Sequence, residues 1–60
     1  MCLATVFKES DNTVVMSNVA RIDVDGDFVT IRDIIGDETR IQGHILSVDL
    51  VKSEVKLVCD

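Results

Sequence analysis

The stretch Arg21–Ile31, RIDVDGDFVTI, decides how this chain is read. Apolar and polar residues alternate on both sides of Asp25-Gly26, and a two-residue Asp-Gly loop between such runs signals a tight antiparallel hairpin of type I′. Pairing outward from that loop sets Val24 against Asp27, Ile22 against Val29 and Ala20 against Ile31, which gathers the apolar side chains on one face. Arg21, Asp23, Phe28 and Thr30 fall on the other face.

Period two continues in both directions from this hairpin. After Ile31 the pattern is less regular, because a two-residue Gly36-Asp37 loop would set Arg32 against Ile41 and mix the faces. A three-residue loop through Glu38, or a bulge around Ile34-Ile35, returns Ile31, Ile41 and Ile45 to a common face, so an irregular ladder is expected there. The run TRIQGHILSVDL alternates through Ile41, Gly43 and Ile45, shifts phase at Leu46 and resumes with Val48 and Leu50. Gly43 or the phase shift marks a bend. Lys52-Ser53 reads as a turn, and Val55, Leu57 and Cys59 line one side of a last strand. Toward the start, LATVF and TVVMS read as strands joined by the polar connection KESDN. No segment has the pattern of a helix. Five or six short strands in one all-β domain, residues 1–60, hide their edges best by curling into a small barrel of the SH3-like or Sm-like kind.

Composition fits a small folded domain. The chain has 60 residues, 47% of them hydrophobic, with Phe7 and Phe28 its only aromatics. A chain this short buries only about 60% of the surface its unfolded form exposes, so a partner subunit or a metal is an expected addition to a thin core. The formal net charge of −5 repels nucleic-acid phosphates and anionic lipid and favours cations. With no signal-peptide pattern and no apolar run near the ~20 residues of a membrane span, a cytoplasmic protein is expected. In that compartment the two cysteines are expected as thiols, ligands or packing residues rather than a disulfide.

The chain shows no nucleophile motif, and its single histidine, His44, falls on the polar face as a solvated side chain, with metal ligation as the alternative. A catalytic role is therefore not expected. Asp23, Asp25 and Asp27 resemble the start of a calcium loop, but Gly26 stands two places early and Ile34 occupies the position of the required glutamate. Solubility of a hairpin tip accounts for them. Lys8, Arg21, Arg32, Arg40, Lys52 and Lys56 are interleaved with acids, so an RNA-binding barrel, which needs a basic groove and stacking aromatics, is the weaker alternative. Cys59 fits the apolar alternation of the last strand and reads as a buried packing residue.

Cys2 is different. Loss of Met1 would leave its thiol beside a free α-amine, two donors with ordinary pKa values near 8.5 and 8 that deprotonate readily for a metal. Planar nitrogen and thiolate donors suit Ni(II) or Cu(II), whereas calcium and magnesium prefer oxygen. A small residue that merely begins a strand is the other reading, as is a metal-free interaction module that uses a strand edge.

The order MCLATV, then NVARIDVDGDFVTIRDIIGDE with its Asp33-Ile34-Ile35-Gly36-Asp37 turn, then IQGHILSVDLVKSEVKLV with Gly43 and Val48-Asp49-Leu50, resembles the CooT family of small nickel-binding proteins. That resemblance implies a homodimer of small SH3-like or Sm-like barrels that binds Ni(II) through Cys2 and acts as a metallochaperone in carbon monoxide dehydrogenase maturation. Cys2 is the ligand that carries over; His44 and Cys59 do not fall on defining positions of the family pattern.

Overall fold

The computed structural model describes residues 3–60, and Met1 and Cys2 lie outside the described residues. Five strands follow in order: β1 Ala4–Lys8, β2 Val14–Asp25, β3 Phe28–Asp33, β4 Glu38–Asp49 and β5 Glu54–Cys59. They close into a barrel in sequence order, with β1 pairing antiparallel to β2 and parallel to β5. Closure satisfies the backbone groups that an open sheet would leave along its edges.

Strand number is settled by β2. The expected separate strands TVVMS and ARIDVD are one element, whose first half pairs with β1 and whose second half pairs with β3. The break in pattern between them is a corner, not an end. Asn18 takes φ 55 inside the strand, a left-handed conformation that asparagine tolerates better than most residues. Strand β4 does the same, leaving β3 for β5 near Gly43.

The first hairpin forms with a shifted register. Asp25 pairs with Phe28, Val24 with Val29 and Ile22 with Ile31, so the loop residues are Gly26 and Asp27 rather than Asp25 and Gly26. Pairing has slid by two residues, which keeps Ile22, Val29 and Ile31 on one face, but a register shift between Val19 and Arg21 buries Val19 and leaves Ala20, expected opposite Ile31, exposed. The glycine sets the choice. With φ 58, Gly26 serves as the first loop residue, and Asp27 does not share the positive φ, the pattern of a type II′ rather than a type I′ turn.

The second hairpin holds its irregularity inside the turn. Asp33 N–H donates to the carbonyl of Asp37 across a three-residue loop, Ile34-Ile35-Gly36, with Gly36 at φ 98. The β3–β4 ladder itself has no register shift, contrary to the irregular ladder expected, and it sets Val29 against Ile41. The phase shift at Leu46 is a bulge: Ile45 pairs with Leu57 and Ser47 with Lys56, leaving Leu46 without a partner.

The core is aliphatic. Val6, Val19, Val29, Ile31, Val55 and Leu57 are buried, with Ala4, Val15, Met16, Ile22, Ile41 and Ile45 packed against them. Every strand supplies part of this lining, so the barrel interior is filled by side chains and leaves the chemistry to its ends and outer surface.

Candidate metal-binding amino-terminal end

Cys2, the expected metal ligand, lies outside the described residues, and one residue separates it from Ala4, the first residue of β1. The start of β1 is held on both sides. Ala4 pairs with Val19 of β2, and Thr5 N–H donates to the Ser53 carbonyl at 2.9 Å just before β5. A pocket of about 100 Å³ opens between this strand start and the β4–β5 turn, lined by Ala4, Val48, Leu50 and Val55 among others.

The other expected candidates do not converge on a metal site. His44 is exposed on β4 opposite Val58, while Cys59 pairs with Gly43 one position along, so strand alternation sends the two side chains to opposite faces. Cys59 is exposed, which corrects its expected role as a packing residue. It is the last residue of β5, and the apolar alternation that buries Val55 and Leu57 runs past the end of the core. Among the described residues no three His, Cys, Asp or Glu side chains cluster as a metal cage.

The three arginines are committed elsewhere. Arg21 Nε donates to both oxygens of Asp23 at 3.2 and 3.0 Å, within the aspartate group that superficially resembles a calcium loop. The Arg32 guanidinium forks onto Glu38, with Nε at 3.0 Å from Oε1, and that contact raises the pKa of Arg32 above its ordinary value. Arg40 lies over the Phe28 ring, 4.2 Å from its centroid, a cation–π contact that shields an otherwise outward-facing aromatic. A basic, aromatic-lined nucleic-acid groove would need these groups free.

Sequence reading missed what surrounds the strand start. Asp33 Oδ1 accepts the amides of Ile35 and Asp37, both at 3.0 Å, and Asp49 Oδ1 accepts those of Val51 and Lys52 at 3.0 and 3.1 Å. The signal was present in the spacing: an aspartate, two aliphatic residues, then a residue of positive φ three or four positions after the aspartate. Aspartates bonding their own following backbone are a known turn device, and DIIGD and DLVKS both offer it.

A family model described as CO dehydrogenase accessory protein CooT matches residues 1–58. The chain belongs to the CooT family. A crystal structure from Carboxydothermus hydrogenoformans, of a protein provisionally designated CooT, superposes with a TM-score of 0.88 at 18% identity and covers 98% of each chain. At that identity the likeness speaks for the fold. No curated protein matches this member of the CooT family.

Proposed function

We propose that this CooT-family protein is a cytoplasmic nickel-binding accessory protein that takes Ni(II) at Cys2 and supports maturation of a CO dehydrogenase, without catalysing a reaction. The observation that carries this reading is the family match, which begins at residue 1 and so takes in the Met-Cys-Leu start. The donors are the Cys2 thiolate, the α-amine exposed when Met1 is removed, and nearby backbone nitrogen. Both ionisable donors deprotonate near neutral pH once a metal competes for them, and a nitrogen–thiolate set suits Ni(II) as cargo.

In this reading the barrel is of the SH3-like or Sm-like type and works as a homodimer. Its task is to hold the strand start rigid behind the Cys2 donors. Pairing of β1 with both neighbours provides that anchor.

The test is a Ni(II) titration of the native protein and Cys2→Ser, followed by ultraviolet-visible absorption, with the state of Met1 fixed by mass spectrometry. Thiolate-to-nickel charge-transfer bands in the native protein alone are the expected result. Equal binding by Cys2→Ser overturns the site. Sedimentation of the same samples with and without nickel reports the dimer.

A further inference from the structure

Two turns on this small barrel are built alike and stand on either side of the start of β1. Each opens with an aspartate that clamps two backbone amides, Asp33 in one and Asp49 in the other. Each then presents two consecutive aliphatic residues to solvent: Ile34 and Ile35 at 63% and 80% exposure, Leu50 and Val51 at 84% and 97%. Each closes through a residue of positive φ, Gly36 or Ser53. The clamps hold the turns in one shape, so the aliphatic pairs are displayed on fixed supports.

Both turns are one strand away from β1. Ile34 N–H donates to the Asn18 carbonyl at 3.0 Å, beside Val19, which pairs with Ala4. On the other side Ser53 accepts the amide of Thr5, and Leu50 and Ala4 line a common pocket. Two exposed aliphatic pairs flanking one strand start at the same end of so small a barrel suit a contact surface better than a packing remnant.

Charge identifies the occupant. Segments 33–38 and 49–54 carry Asp33, Asp37, Asp49 and Glu54 against Lys52, a net −3 once Glu38 is set aside with its partner Arg32. A second copy seated face to face would bring two such acidic rims together, which like-charge juxtaposition disfavours. A protein with apolar pockets rimmed by lysine and arginine has the complementary surface.

We propose that the Ile34-Ile35 and Leu50-Val51 turns form a docking face for the client enzyme, a protein surface with basic-rimmed apolar pockets, and that this face brings the amino terminus against the client. The inference rests on the reading of this chain as a CO dehydrogenase accessory protein. Aliphatic tips supply the affinity, and the acidic rim supplies orientation and a salt-dependent association rate.

The experiment measures binding of the native protein to immobilised nickel-free CO dehydrogenase by interferometry, at 50 and 300 mM salt as the arms of the comparison. Three variants accompany it: Ile35→Ser with Val51→Ser, Asp37→Asn with Glu54→Gln, and Val14→Ser as a control exposed at the far end of β1, where it pairs with Phe7. Circular dichroism and a nickel titration are run on each. The expected result is a loss of about tenfold or more in affinity for the serine pair, a smaller loss for the charge pair that disappears at high salt, native binding by Val14→Ser, and unchanged nickel binding throughout. Equal binding by the serine pair overturns the docking face while leaving the accessory role intact. Failure of the native protein to bind the enzyme, with nickel still taken up, overturns the face and its client but not the metal site; failure of both overturns the functional reading itself. Conversion of a dimer to a monomer by the serine pair assigns the face to a second copy and overturns the proposal.

Discussion

Strands β2 and β4 each run for 12 residues and each turn a corner between two neighbours, yet they do so by different means. At the β2 corner Asn18 adopts φ 55, and its carbonyl accepts the amide of Ile34 from the β3–β4 turn. At the β4 corner the amide of Gly43 donates to the carbonyl of Asp27 in the β2–β3 turn, and the backbone of β5 comes so close that a Cβ on residue 43 would overlap the Val58 carbonyl oxygen. Each corner is thus clasped by a turn from another hairpin. The first depends on a backbone conformation that a few residue types accept, whereas the second depends on an atom being absent. Tolerance to substitution should therefore differ sharply between them.

Gly43→Ala gives the largest expected effect. The overlap is with backbone held in the β4–β5 ladder, not with a side chain that can swing away, so β5 must shift along its length. A loss of about 3 kcal/mol is expected, in the range of overpacking at a tight site. For a chain of this size that corresponds to a fall in Tm of roughly 12–24 °C, read by thermal unfolding. A melt at the native temperature would mean that close approach of β5 does not fix this corner. At the other corner, Asn18→Val should cost about 1–2 kcal/mol, the penalty of placing a branched side chain in left-handed backbone, while Asn18→Gly should be within about 0.5 kcal/mol of native. If valine were tolerated as well as glycine at position 18, the two corners would not differ in the way their geometry says.

The same asymmetry explains what was legible in the sequence. Gly43 and the phase shift at Leu46 stand out because a missing side chain and a broken alternation are visible in a string of letters. Asn18 does not, since asparagine is as common in a connection as in a corner, and TVVMS therefore reads as a strand separate from ARIDVD. The hairpin at Gly26 was legible as a hairpin and on the correct faces; its two-residue slide was not, because Asp25-Gly26 and Gly26-Asp27 both satisfy two-residue turn chemistry and keep the same alternation. Cys59 looked buried because alternation carries no information on where a core ends. Of the candidate site, Cys2 is named by residue chemistry alone and lies outside the described residues, whereas the apolar turns are brought to either side of the start of β1 only through its pairing with β2 and β5.

Those turns allow a finer test of the corners. Asp33→Ala removes the acceptor of two amides from the turn that supplies the Ile34 bond to Asn18, and a loss of about 1 kcal/mol is expected. Asp49→Ala removes an equivalent clamp from a turn that bonds neither corner and should cost a similar amount. The distinction lies in coupling. Combined with Asn18→Val, Asp33→Ala should depart from additivity, since both act on one corner, whereas Asp49→Ala should add simply. Hydrogen exchange of the Ile34 amide should accelerate in the first variant alone. Additive behaviour for both pairs would show that the Asp33 turn does not brace the β2 corner.

The smallest effect belongs to a turn that touches neither corner. Asp11 accepts the Thr13 amide at 3.0 Å in the β1–β2 connection, and hydrogen bonding from Thr13, its side chain before its backbone, holds the carboxyl below its ordinary pKa of 3.8. Because the folded pKa lies below the unfolded one, the folded state favours the carboxylate, and the stability this adds is present above the unfolded value and lost as pH falls through the folded one. The group is fully exposed, so the contribution is small and screened by solvent. The stability difference between native protein and Asp11→Ala should be constant near neutral pH and shrink toward zero in acid below pH 3.8. Over the same range the gap between Gly43→Ala and native should not follow that titration, because a steric overlap carries no proton. A difference at Asp11 that persists in strong acid would assign the turn to backbone bonding, leaving the carboxylate without a role in it.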